Sequence, residues 1–333
     1  MFDLMILLWR NYSPVELSGR ETLKAVACFV GISVSFLVYG VLQERTMTIG
    51  FGPENELFTF SLFLVFCNRL LTSLIALLVL MGHSRQIAPV APLHSYAAVS
   101  IGNLVASTCQ YDSLKYISFA LQTLAKCCKM LPVMVWGVVI RRKRYSTAEV
   151  AVALSVVGGC AMFMFSGSIL SRAVSSNAQQ SSLLGGVHDK YYAVGISLLV
   201  AYLAFDGFAS TWQDRLFAGY HMDTSNQVLY TALCSTALSF CVLVASRDLF
   251  GATDFFRRHP HALMYTTAVS TVATVIQYFV SYTIKNYGAL NFATLMTARQ
   301  FFSVIASSLI FKHRFTLGQW CELFGCVSPC TVP

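Results

Sequence analysis

The chain has 333 residues, 56% of them hydrophobic and only 11% charged, with a formal net charge of +8. Ordinary soluble domains carry about 25% charged residues, so this composition excludes most soluble classes. Many of the cations lie in short loops between apolar runs, a pattern that sets membrane topology rather than nucleic-acid binding.

Runs of membrane-spanning length, about 20 residues, recur along the chain. They predict an all-α integral membrane protein, a single transmembrane domain over residues 1–333. The opening MFDLMILLWRNYSP lacks a basic n-region and a small-residue cleavage site, so no signal peptide is expected. Predicted spans follow at 23–43, 58–81, 93–112, 116–140 and 147–167. Residues 168–190, rich in Ser, Gly and Gln, read as a flexible linker. Further spans are predicted at 191–213, 226–246, 262–284 and 288–311. The tail after Trp320, CELFGCVSPCTVP, is too short to cross a bilayer, so a tenth helix is expected to be truncated. Cys321, Cys326 and Cys330 do not follow a standard metal-ligand spacing. Most other cysteines lie inside apolar runs and read as small core hydrophobes.

The linker separates a first repeat, about 23–167, from a second, about 191–325. A shift of 170 residues lays Lys115 over Lys285, Lys129 over Arg299, Arg142 over Lys312 and Arg144 over Arg314. Five spans per repeat would invert the second repeat, a recurring transporter design. Counting first-half loop cations, with RRKR at 141–144 the densest group, favours a cytosolic N-terminus.

The chemistry concentrates in FALQTLAKCCKMLPV, residues 119–133. Lys126 and Lys129 lie three apart inside an apolar segment, on one helical face. A cation at mid-bilayer costs about 2.5–3.5 kcal/mol. A structural ion pair with Asp206 or Glu44 is one explanation. However, the two lysines and Arg299 outnumber those two acids, which points to an anionic ligand. Arg299 lies in the repeat partner of the lysine segment, so the 116–140 and 288–311 helices are expected to face each other across a central cavity. Arg offers a planar fork for phosphate or sulfate and Lys a point charge, an arrangement suited to a polyanion with two separated charged groups. Other polar groups interrupt apolar runs: Gln43 and Glu44 in YGVLQERTM, which opens on Tyr39; Asn68 and Arg69; Gln110 and Tyr111; Asp206 and Gln213; Gln277 and Tyr278. Each alone fits helix-to-helix hydrogen bonding. Together they suggest a wet interior able to stack on and bond a purine. No Walker A loop, HExxH or GxSxG is present, and an enzyme is not expected.

These motifs resemble the nucleotide-sugar transporter family of the drug/metabolite transporter superfamily, and within it the carriers of 3′-phosphoadenosine 5′-phosphosulfate (PAPS). The resemblance rests on YGVLQERTM (39–47), CQYDSLKYISFALQTLAKCCKMLPVM (109–134), AFDGFASTWQD (205–215) and TARQFF (297–302). It implies a bundle of two inverted five-helix repeats with cytosolic termini, the drug/metabolite transporter fold. It implies antiport of PAPS into the Golgi lumen against 3′,5′-bisphosphoadenosine, across a Golgi or alternatively endoplasmic reticulum membrane. Lys126, Lys129 and Arg299 are the implied phosphate ligands, and Gln300 after the arginine matches the PAPS-type version. The implied partners are these two nucleotides and the lipid bilayer, with no nucleic acid, cofactor or metal. Open alternatives are a carrier of ATP/ADP or a UDP-sugar, and an inactive truncated isoform or membrane scaffold. Oligomeric state stays open, a homo-oligomer included.

Overall fold

The computed structural model describes residues 19–48, 60–82, 87–113, 125–147, 185–246 and 248–310, with short pieces between them at 50–51, 56, 58, 116–117, 122, 149–151, 153–155 and 157–158; side chains are not described at 19–22, 44, 47–48, 61, 185–192 and 301–310. The predicted tail and most of the linker lie outside these residues. The described residues are helical apart from loops and an isolated bridge between Phe51 and Glu56. The elements are α1 (Gly19–Thr48), α2 (Ser61–Gly82), α3 (Leu93–Ser113), α4 (Met130–Arg141), α5 (Gly185–Tyr220), α6 (Thr224–Ala245), α7 (Asp248–Arg258) and α8 (Pro260–Ile310). Within them, Leu23–Gln43, Leu62–Gly82, Ala193–Tyr220, Thr224–Ala245 and Pro260–Gln300 are long and apolar enough to cross a membrane.

Two predicted spans, 262–284 and 288–311, are joined in α8. Gly288 divides them, with φ 82° and ψ 168°. That left-handed φ is open to glycine and strained for residues with a Cβ.

The helices form two compact units. The described residues of the first are 19–22, 105–211 and 289–310; those of the second are 23–104 and 212–288.

In the first unit, Met130, Val133 and Met134 of α4 pack with Ala153, Ala289 and Ala293. Thr297 Oγ1 donates to the Cys127 carbonyl at 3.3 Å, and Thr294 Oγ1 lies 3.9 Å from Met130 Sδ. Three residues forward along one segment match three back along the other, so the two run antiparallel. They touch directly at this level. α5 docks on the same segment through small residues, as membrane helices do. A Cβ on Gly207 would lie 2.8 Å from Pro132 Cβ and 3.2 Å from the Val133 nitrogen. Trp136 Nε1 donates to the Ala204 carbonyl at 2.8 Å, and its ring meets Phe208 edge-on at 5.2 Å. α4 ends with Arg142 in the left-handed region (φ 50°), where the Arg142 and Lys143 amides close onto the Val138 and Gly137 carbonyls. A capping box follows at once: the Ser146 amide donates to Glu149 Oε2 and the Glu149 amide to Ser146 Oγ.

In the second unit, α2 and the first part of α8 run parallel. Asn68 meets Ser270 and Thr72 meets Thr274, each pair 202 residues apart, at 2.7 and 2.9 Å. Both helices repeat a small polar residue at an interval of four, which places the pair on one face of each. The outward faces are apolar: Leu70, Leu74, Leu78 and Met81 form an exposed stripe on α2. α7 is amphipathic, with Ala252 and Phe255 buried and Arg257 and Arg258 in its last turn, where the helix dipole favours cations. Phe51, Phe58, Phe60 and Phe255 stack around it. Glu56 accepts from both Arg258 and His259 and fastens the loop after α1 to this helix.

Two outcomes follow from these contacts. Gly207→Ala adds a methyl into backbone and should cost about 1–3 kcal/mol. Gly219→Ala, with open space around its Cβ, should be neutral or stabilising by up to about 1 kcal/mol; thermal melts of the purified protein in detergent compare the two. The second outcome concerns pH. The hydrogen bond from His259, aided by Arg258, holds the Glu56 carboxyl below the usual glutamate range. A depressed carboxylate contributes its stability above the unfolded pKa and loses it as pH falls through the folded one. The protection of α7 amides, corrected for the intrinsic pH dependence of exchange, should therefore fall below about pH 4 in the natural protein. In Glu56→Gln, that step should be missing.

Candidate functional site

The lysine pair sits on a tightened turn. Residues 125–127 are helical, 128–129 form a turn, and α4 begins at Met130. The amides of Cys128, Lys129 and Leu131 bond the carbonyls three residues back, those of Ala125, Lys126 and Cys128, at 2.9, 3.4 and 3.2 Å. Pro132 supplies the cause. It has no N–H to give the Cys128 carbonyl and its ring crowds that carbonyl, so Leu131 takes it instead. In such 3₁₀ geometry residues three apart eclipse, which places Lys126 and Lys129 on one face of the turn. The sequence alone predicts one unbroken helix here; the proline explains the difference.

Lys129 Nζ lies 2.7 Å from Asp206 Oδ2, with side chains only 10% and 22% exposed. The same ammonium stands over the Phe292 ring at 4.7 Å, a cation–π contact strengthened by the loss of water. The small size of Gly207 lets α5 approach closely enough for its neighbour Asp206 to reach the lysine. Lys126 has no carboxylate partner among the described residues; it feels the repulsion of Arg299 and the attraction of Asp206. Arg299 Nη2 donates to Gln300 Oε1 at 2.9 Å. The buried Tyr202 lies one helical turn before Asp206, on the same face of α5. Lys126 and Lys129 thus share the Asp206 carboxylate, with the Phe292 ring beside Lys129 and Arg299 near Lys126. Such a group can hold an anion, because a fork and two point charges suit phosphate or sulfate oxygens.

Of the predicted residues, Lys126, Lys129, Asp206, Arg299 and Gln300 gather in this one unit. Gln110 and Tyr111 belong to it as well. The Gln110 carbonyl accepts from Gln122 at 2.7 Å and Ser113 at 2.8 Å, while Tyr111 is exposed. The other predicted residues belong to the second unit. Tyr39 OH accepts from Asn68 at 3.5 Å, and Gln43 is half-buried near the end of α1. The Glu44 side chain lies outside the described residues. Arg69 donates to Gln277 at 3.2 Å, Gln277 to Ser281 at 3.3 Å, and Gln213 to both Ser281 and Gln227, at 2.9 and 3.1 Å. That chain is uncharged beyond Arg69 and joins α2, α5, α6 and α8.

Sequence reasoning missed Tyr202, Phe292, Gly207 and Pro132. A signal existed for three of them. Tyr202 precedes Asp206 by one turn and Phe292 precedes Arg299 by two, so each shares a helical face with a residue already singled out. Pro132 lies three residues after Lys129. Nothing in the sequence showed that Gly207 meets α4.

Residues 24–325 match the UAA transporter family. The chain is 42% identical to "UDP-galactose/UDP-glucose transporter 5" of Arabidopsis thaliana, over 92% of this chain and 85% of that one. It is 38% identical to "Adenosine 3′-phospho 5′-phosphosulfate transporter 1" of Dictyostelium discoideum, over 93% and 82% respectively. A solved crystal structure, described only as that of a protein, is 12% identical, covers 92% of this chain and 95% of that chain, and superposes with a TM-score of 0.61, a likeness of fold alone. With apolar helices of membrane-spanning length and a family match over most of its length, this chain is a multi-pass membrane protein that belongs to the UAA transporter family, a family of transporters and not of enzymes.

Proposed function

We propose that this protein is an antiporter that carries PAPS from the cytosol into the Golgi lumen and returns 3′,5′-bisphosphoadenosine. The observation that carries this reading is the grouping of Lys126, Lys129 and Arg299, with Lys129 held by Asp206 and Lys126 near Arg299. The surplus positive charge asks for a cargo with more than one anionic group. Relatives named for this activity support it, one of them 38% identical. Two inverted repeats, about 23–167 and 191–325 flanking the linker, complete the proposal. Cys127 and Thr297, 170 residues apart, bond across antiparallel segments. Residues equivalent under that offset meet this way beside a two-fold axis in the membrane plane.

A second reading is favoured by a specific observation. Relatives named UDP-galactose/UDP-glucose transporters are 42% and 43% identical. On that reading the same cations hold the diphosphate of a UDP-hexose. Competition for uptake by unlabelled PAPS and UDP-galactose separates the two. An endoplasmic reticulum location is the alternative to the Golgi, and localisation of the tagged chain decides it.

Exchange follows from the charge balance. In the empty carrier the cations repel one another, and a bound polyanion neutralises them, so reorientation is favoured with cargo aboard.

In reconstituted vesicles, Lys126→Ala and Lys129→Ala should each cut PAPS uptake about ten- to hundred-fold, the loss of one charge-assisted contact of about 1.5–3 kcal/mol. Lys→Arg at either position should retain part of the activity, because the fork differs from a point charge. Near-normal uptake by both alanine variants would make the lysines structural. Preloading vesicles with 3′,5′-bisphosphoadenosine should accelerate PAPS entry, and equal rates into empty and preloaded vesicles would rule out obligatory exchange.

A further inference from the structure

Asp206 is the carboxylate that holds Lys129 and attracts Lys126, and no name carried by a relative assigns it a role. Its oxygen holds Lys129 Nζ at 2.7 Å, inside a shell too dry to screen the pair. The same carboxylate attracts Lys126. A phosphate that engages Lys129 has to take it from a carboxylate already in place.

We propose that Asp206 is a specificity-determining residue of the cargo site, which sets how much negative charge a bound nucleotide can carry and recaptures Lys129 when that nucleotide leaves. The inference rests on the transport reading above. The energy between a fixed charge and a ligand scales with the ligand's charge. Removing the carboxylate charge therefore favours the most highly charged nucleotides most. It also removes the group that competes with cargo for Lys129, so the cargo dissociates more slowly. A carboxylate kept only to anchor two helices has neither effect. Its loss weakens every ligand alike.

The test keeps the base constant and varies the charge. Inhibition of labelled uptake by AMP, ADP and 3′,5′-bisphosphoadenosine is measured on the full-length protein in proteoliposomes. In Asp206→Asn, affinity for 3′,5′-bisphosphoadenosine should rise roughly ten-fold and that for AMP roughly three-fold or less. KM and the maximal exchange rate should fall together. Asp206→Glu, which keeps the charge, should keep the natural ranking. The paired variant Lys129→Gln with Asp206→Asn restores the net charge, so its ranking should return to the natural one at lower overall affinity. That ranking also decides the matter if the single variant does not fold: a paired variant that ranks the three nucleotides differently from the natural protein overturns the inference. An unchanged ranking in Asp206→Asn, or a uniform loss for all three nucleotides, overturns it while leaving the transport reading intact. Natural protein on which none of the three nucleotides acts overturns both.

Discussion

An ammonium group buried among apolar helices has to be answered by something, and here Lys129 is answered by Asp206 at 2.7 Å and by the face of Phe292. Much of the local structure can be read as what brings these groups together. Pro132 tightens the turn that carries Lys126 and Lys129. Gly207 lets α5 come close enough for its neighbour Asp206 to reach across. Trp136 fixes that approach with a bond to the Ala204 carbonyl. A buried ion pair is weak as a source of stability, since desolvation offsets most of the attraction. Beside it Lys126 has no carboxylate partner among the described residues, so the pair makes better sense as part of a site than as a source of stability.

The two units handle buried polarity differently. In the second, amides and hydroxyls answer one another: Gln213, Gln227, Gln277 and Ser281 form a continuous chain, and Asn68 and Thr72 pair with Ser270 and Thr274. Each such bond contributes modestly in a membrane, and the chain joins four helices. In the first unit the buried groups include the charged Lys129–Asp206 pair, with Lys126 and Arg299 close to one another. A satisfied network holds helices together, whereas an unbalanced one asks for a ligand.

Much of this was legible in the sequence, because the signals were compositional. Apolar runs located α1, α2, α6 and both parts of α8 to within a few residues, since a bilayer imposes a length on them. The lysine pair and Arg299 stood out because cations are costly in such runs. What stayed hidden depends on which helices touch. Gly207 has meaning only against Pro132, and Phe292 only beneath Lys129. Asp206 was read both as a structural partner of the lysines and as a cargo residue, and the 2.7 Å contact gives the first reading its geometry. The break at Gly288 was foreshadowed by the two spans predicted on either side of it, yet the φ of 82° that makes the glycine necessary is a property of the folded backbone. Gln213 and Gln277 were grouped with the cations as polar interruptions. Their amide partners belong to the other unit, which periodicity does not reveal.

The central claim is that Lys126, Lys129 and Arg299 form the anion site. A structure determined with 3′,5′-bisphosphoadenosine bound tests it most directly. The account predicts phosphate oxygens within about 3 Å of the lysine ammonium groups or the Arg299 guanidinium, with Lys129 drawn from Asp206 toward the ligand. Phosphates lodged away from all three cations, with the Lys129–Asp206 pair undisturbed, would contradict it.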